Sequence, residues 1–211
     1  MHRRIALLGV AVALIAPLLT GLGSPAPASA AGPTLAQLIG QKLIVRMDGT
    51  TPSADLLGRI RRGEVGGVIL FGSNITTKTA LIALTRQLHA AAAAGGQPRF
   101  LIAVDQEGGA IKRIPWAPPT LSPPQMGALR STSTARSQGL QTGTALKALG
   151  IDIDLAPVAD VPASTSSILY RQGRTWSFSA TLTASLTDAF TTGLKAGGEI
   201  PTMKHFPGLG Y

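Results

Sequence analysis

Four short apolar runs, each followed by a turn and separated from the next by segments of helical spacing, constrain this chain more than any other feature. The runs lie at 66–72, 100–104, 151–158 and 200–203. Short runs rich in Val, Ile and Leu and bounded by glycine or polar turns read as strands buried in a sheet. Ahead of them, residues 34–46 place Leu35, Leu38, Ile39 and Leu43 at helical spacing behind a Thr34 cap, and Ser53 caps a second short helix through Arg62. Residues 77–94, 134–149 and 181–196 continue the alternation, the last with Leu182, Leu186, Phe190 and Leu194 at every fourth position. Strands alternating with helices mean a parallel sheet, either a barrel or a doubly wound sheet. In the third run Ile151, Ile153 and Leu155 alternate with Asp152 and Asp154, which suits a strand with helices on one face and a polar interior on the other.

Polar residues mark the ends of the last three runs, and site residues spread over successive strand ends are barrel behaviour. Asp105-Gln106-Glu107-Gly108-Gly109 follows the second run directly, with paired glycines to let the loop turn. The proline-rich stretch 115–124 reads as irregular. Lys204-His205 closes the fourth run just before a Pro-Gly turn. No G-x-G-x-x-G follows the first strand and no G-x-x-x-x-G-K-[ST] occurs, which argues against dinucleotide and nucleotide-phosphate binding.

Composition narrows the chemistry further. The 211 residues are 45% hydrophobic and 14% charged, a globular balance. Without cysteine there is no disulfide, thiol nucleophile or thiolate metal site. Three scattered histidines make no metal cluster, and His89 reads as a helix histidine rather than a ligand. No cofactor is implied. The formal charge of +9 is dispersed and aromatics are only 4%, so no nucleic-acid surface is expected. Residues 1–30 read as a signal peptide: Arg3 and Arg4 precede an apolar stretch from Ile5 to Ala16, Pro17 breaks it, and Ala28-Ser29-Ala30 supplies a cleavage site. A membrane would then be met only during export, with cleavage near Ala30 and a secreted or cell-wall-associated product.

Four segments in order carry a family resemblance. Asp105-Gln106-Glu107-Gly108-Gly109-Ala110-Ile111-Lys112-Arg113, the stretch from Gly150 to Val161, Gly173-Arg174, and Lys204-His205-Phe206-Pro207-Gly208-Leu209-Gly210 resemble glycoside hydrolase family 3. The Phe-Pro-Gly after Lys204-His205 resembles its bacterial β-N-acetylhexosaminidase branch, although Leu209 stands where that pattern often has a second histidine. The resemblance covers about residues 34–211 and implies an N-terminal half of a (β/α)₈ TIM barrel, apparently truncated, in an α/β fold. About 180 residues follow the leader, against ~250 for a complete barrel. The strands at 66–71 and 200–203 would then be open edges.

The same resemblance implies that Asp105, Arg113, Arg174, Lys204 and His205 hold the hydroxyls of the sugar at the cleavage point. The chemistry suits them, since a pyranose hydroxyl both donates and accepts and charge-assisted bonds are about twice as strong as neutral ones. Glu107 is read as loop structure. No catalytic residue is assigned within the chain: the nucleophilic Asp and the Asp-His acid/base pair of a retaining mechanism are expected beyond Tyr211. The implied activity is exo-acting removal of terminal β-linked N-acetylhexosamine from cell-wall or chitin-derived oligosaccharides. A non-catalytic, secreted sugar-binding remnant is the alternative.

Overall fold

A computed structural model describes residues 32–97 and 99–209, so the leader read at residues 1–30 lies outside the described residues. Thr34 opens α1 (Leu35–Gly40) with a capping box, its side chain accepting from the Gln37 amide while Gln37 returns a bond to the Thr34 amide. The helix expected over 34–46 stops at Gly40. A Cβ on Gly40 would lie 2.2 Å from the Gly63 carbonyl oxygen, so the chain passes tightly against that loop. It then leaves as β1 (Ile44–Arg46), which pairs in parallel with β2 (Gly67–Leu70). Leu43 continues the helical spacing of α1, but pairing of β-branched Ile44 and Val45 with β2 overrides it.

The remaining alternation follows the expected order. Ser53 caps α2 (Ala54–Arg61), Thr77 caps α3 (Lys78–Ala94), Ser131 caps α5 (Thr132–Ala148) and Ser179 caps α7 (Ala180–Ala196), each hydroxyl accepting an orphan amide of the first turn. Strand β3 (Leu101–Val104) leads into a small antiparallel hairpin of β4 (Gln106–Gly108) and β5 (Ile111–Lys112). The run at 115–124 is not wholly irregular. Pro123 and Pro124 begin α4 (Pro123–Leu129), with Ser122 as N-cap; proline suits this first turn because its missing N–H would have had no helical partner. Short α6 (Ile168–Arg171) interrupts the Ser/Thr-rich segment after β6 (Ile153–Asp154), and β7 (Ile200–Pro201) closes the series.

The main sheet is wholly parallel, in the order β1-β2-β3-β6-β7. This is the α/β architecture expected, with successive strands side by side as along the wall of a barrel. The open edge foreseen at 66–71 is not there, because β2 is paired on both sides. Among the described residues the outer strands are β1 and β7. One core cluster packs Ile60, Leu81 and Leu88 from α2 and α3 onto Val68, Leu70 and Ile102 of the sheet. A second joins Met126, Trp176 and Phe190, the two rings meeting edge-to-face at 5.8 Å. Helices α5 and α7 approach closely because Gly139 and Gly193 lie at their contact. A Cβ at either would sit 2.2 Å from a backbone oxygen of the other helix.

Candidate active site

Parallel pairing brings the carboxyl ends of β3, β6 and β7 to one end of the sheet, and the charged residues just beyond them meet there. Asp105 is the first residue after β3, and Glu107 lies in β4. Gln106 between them holds the hairpin: its amide donates to Asp154 Oδ1 at 3.0 Å, its Oε1 accepts from the Ile114 amide, and its Nε2 donates to the Ile114 and Pro118 carbonyls. Gly108 and Gly109 turn the hairpin at φ of 96° and 60°, which only glycine adopts cheaply. Beyond the last strands, Val158 and Lys204 form a further parallel bridge, and the Ala159 amide donates to the Lys204 carbonyl at 2.7 Å.

The side chains form one connected network. Lys204 Nζ stands 2.5 Å from Asp105 Oδ1 and 2.7 Å from Glu107 Oε1. Arg174 donates through Nη2 to Glu107 Oε1 at 2.7 Å and through Nε to Oε2 at 2.9 Å. Its Nη2 also lies 3.4 Å from His205 Nε2, and Nη1 donates to Gln172 Oε1 at 3.1 Å. Arg113 reaches Asp105 Oδ2 at 3.8 Å, with its guanidinium carbon 5.9 Å from the Phe71 ring centre. Beneath His205, Asp160 Oδ2 accepts from the His205 amide at 3.0 Å and lies 2.7 Å from Nδ1, while Oδ1 accepts from the Leu209 amide. An acceptor at Nδ1 fixes the proton there, leaving Nε2 bare towards Arg174.

All five residues expected from the sequence are therefore together. Two more belong with them. Glu107, read above as loop structure, is a strand residue joining Lys204 to Arg174, and Asp160 holds His205. Both carboxylates are 1% exposed. Both were visible as acidic residues near strand ends, but nothing local in the chain names their partners.

Charge state follows from these contacts. The Glu107 carboxylate holds the Arg174 guanidinium above its ordinary value despite partial burial. Burial opposes ionisation of Asp160, but bonds from the Leu209 amide and from the ring and amide of His205 outweigh it and keep the carboxyl below its usual range. Asp154, fully buried one layer below, is the contrary case. Burial pushes it up to about 7, Gln106 and Lys204 offset this only in part, and its Oδ2 has no partner.

A donor count shows what remains for a ligand. Lys204 donates to Asp105 Oδ1 and pairs by charge with Glu107, so its three N–H groups are not all used. Arg174 keeps one Nη1–H, and Asp105 Oδ2 has only the long Arg113 contact. Lys204, His205 and Asp160 of this network also line a cleft of about 770 Å³, with Ala159, Met203 and Phe206. That arrangement can bind neighbouring hydroxyl groups in a fixed orientation. Among the described residues no group of three or more His, Asp or Glu could hold a metal ion.

Comparison with known proteins identifies the family. Residues 34–211 match the glycosyl hydrolase family 3 N terminal domain. The chain is 34% identical over 178 residues to an uncharacterized secreted glycosyl hydrolase of Arthroderma benhamiae, covering 83% of this chain and 50% of that protein. It is 34% identical over 177 residues to a beta-hexosaminidase of Bordetella pertussis, covering 80% and 49% respectively. Among solved structures, the beta-N-acetylhexosaminidase of Beutenbergia cavernae superposes with a TM-score of 0.73 at 34% identity, over 84% of this chain and 55% of that one. NagZ of Neisseria gonorrhoeae, in complex with N-trifluoroacetyl-D-glucosamine, gives 0.72 at 26% identity, over 80% and 50%. The chain spans about half the length of the curated relatives it matches. With nearly every described residue inside that match, the chain belongs to glycosyl hydrolase family 3.

Proposed function

We propose that this chain supplies the sugar-holding part of an exported, exo-acting glycosidase that removes terminal β-linked N-acetylhexosamine with retention of configuration. The observation that carries the reading is Lys204 Nζ, held between Asp105 and Glu107 with N–H capacity left beside Asp105 Oδ2, whose one partner is the distant Arg113. A hydroxyl pair on a pyranose would donate to that carboxylate and accept from that ammonium. Arg113, Arg174 and His205 complete the wall. The choice of an N-acetylated sugar is supported by relatives named beta-hexosaminidase and by the glucosamine derivative bound to the gonococcal neighbour. Cell-wall or chitin-derived oligosaccharides are the substrates this suggests. Export rests on the charged and apolar leader with its Ala28-Ser29-Ala30 site, and the secreted protein should begin near Ala31 when its N-terminus is sequenced.

A retaining mechanism needs two carboxyl-type groups about 5 Å apart across the scissile bond. Glu107 and Asp160 have both oxygens engaged with protein donors, whereas Asp105 Oδ2 has only the distant Arg113. As the family resemblance implies, nucleophile and acid/base would come from residues outside this chain. The same observation favours the second reading, a secreted sugar-binding remnant without catalysis.

The two separate on one experiment. The coding sequence is read past Tyr211, and the resulting protein is assayed on an aryl β-N-acetylglucosaminide. Turnover is expected, with Lys204→Ala or Asp105→Ala losing about 1.5–3 kcal/mol of transition-state binding. Wild-type kcat/KM in either variant removes these residues from the site. A natural stop with sugar binding but no turnover leaves the remnant.

A further inference from the structure

We propose that Glu107 is a positioning residue of this site: it touches no sugar, but it sets where Lys204 and Arg174 present their remaining N–H groups. The inference rests on the functional reading above. Two cations converge on this one buried carboxylate. Oε1 accepts from Arg174 Nη2 at 2.7 Å, Oε2 accepts from Arg174 Nε at 2.9 Å, and Lys204 Nζ forms an ion pair with Oε1 at 2.7 Å. A two-point bond through Nε and Nη2 fixes the guanidinium plane as well as its position. Lysine lacks such geometry of its own, being a point charge with three rotatable donors on a flexible stem. Holding Nζ between Asp105 and Glu107 limits where its remaining N–H groups can point.

The carboxylate itself is held in place from behind. Its chain neighbour Gln106 is tied through backbone and side chain to Asp154, Ile114 and Pro118, so the β4 backbone cannot drift without breaking several buried bonds. The constraint also travels onward, since Arg174 Nη2 lies 3.4 Å from His205 Nε2 and a displaced guanidinium would disturb the ring. General acid or base work is excluded by the same contacts: both oxygens accept from cations and the group is 1% exposed. Enclosed by these cations and absent from the lining of the cleft, it has no path to a bound substrate.

Steady-state kinetics of the full-length enzyme test this with Glu107→Gln and Glu107→Asp, each checked for a retained melting transition. Gln keeps the shape but sets an amide N–H₂ against the cations, while Asp keeps the charge and withdraws it by one methylene. Either variant is expected to lower kcat/KM about 10²-fold, the usual effect of misplacing binding groups by about 1 Å. Both limbs of the pH profile should survive. In a double-mutant cycle with Arg174→Ala, the losses should fall short of multiplying by at least about 5-fold, because Glu107 then has less to position.

A folded Glu107→Asp or Glu107→Gln with wild-type kcat/KM overturns the inference, as do losses that multiply fully. A vanished limb of the pH profile would instead make Glu107 an acid or base and equally overturn it. If Glu107→Gln does not fold, Glu107→Asp decides. A wild-type enzyme without turnover overturns the functional reading and the inference with it, whereas an active wild type with indifferent Glu107 variants overturns the inference alone.

Discussion

Glu107 and Glu199 are both glutamates next to strand residues, and both are almost fully buried at 2% and 3% exposure, yet their surroundings are opposite. Glu107 receives two N–H bonds from Arg174 and an ion pair from Lys204. Neither oxygen of Glu199 has a partner. Glu199 stands just before β7, at the far end of that strand from Lys204. Burial pushes its carboxyl up to about 9, the nearby Asp154 and Asp152 push the same way, and Lys147 pulls back weakly. Burial is thus common to both; what differs is whether the strand end supplies donors. The carboxyl end of the sheet collects Lys204, Arg174, Arg113 and the amides of His205 and Leu209, which give Glu107 and Asp160 their partners. The amino end offers Glu199 no donor, so the proton itself neutralises it.

The comparison breaks most visibly if a satisfied carboxylate is removed. Asp160→Ala leaves the His205 amide, the His205 Nδ1–H and the Leu209 amide without their acceptor, and should cost about 2–4 kcal/mol in urea unfolding. A change below about 0.5 kcal/mol would mean that water replaces Asp160 freely, and that the strand-end network is looser than its distances suggest.

Glu199 sharpens the other side, with the sign reversed. Its ordinary value is near 4.5 and its folded value about 9, so between those limits the folded chain binds more protons than the unfolded one. Stability therefore falls as pH rises through that window, and the whole cost is present only above about 9. Glu199→Gln should remove this slope, making the variant more stable than wild type by about 1–3 kcal/mol at pH 8 and nearly equal to it at pH 4. Parallel unfolding curves across pH check it. A wild type that gains stability from pH 5 to 8 relative to the variant would show that Glu199 is hydrated or paired.

The smallest effect belongs to a half-exposed pair. His89 Nε2 lies 3.3 Å from Asp152 Oδ2 and 3.1 Å from the Gly150 carbonyl, and the Asp152 bond raises the imidazole above its ordinary value against some burial. The contribution is complete below about pH 6.5 and disappears as pH rises through the raised folded value. With the ring 36% exposed, solvent screens the pair, and His89→Ala should lose no more than about 0.5 kcal/mol of pH-dependent stability at pH 6. A larger loss, read from the same unfolding series, would place His89 among the satisfied groups rather than at the surface.

Local rules account for what could be read from the chain. Helices α3, α5 and α7 were legible because each is long, periodic and opened by a Ser or Thr cap. Strand β1 was hidden because a three-residue strand following a short helix can share the helix's spacing, and only pairing with β2 distinguishes them. Helix α4 was hidden because Pro123 and Pro124 signal a break in general but a start when Ser122 precedes them.

By itself, the sequence determined the alternation of strands and helices, and hence a parallel sheet with charged residues at its carboxyl ends, because hydrophobic period and capping act over a few residues. Its resemblance to glycoside hydrolase family 3 implied Asp105, Arg113, Arg174, Lys204 and His205 as a group. Only the tertiary structure decided who faces whom. Glu107 meets Arg174 across 67 residues and Asp160 meets His205 across 45, since strand order and register, which no local pattern encodes, bring those strand ends side by side. For the same reason two glutamates of like burial acquired opposite surroundings: their partners arrive from elements distant in sequence, and a carboxylate's neighbours, unlike its hydrophobicity, are a property of the fold.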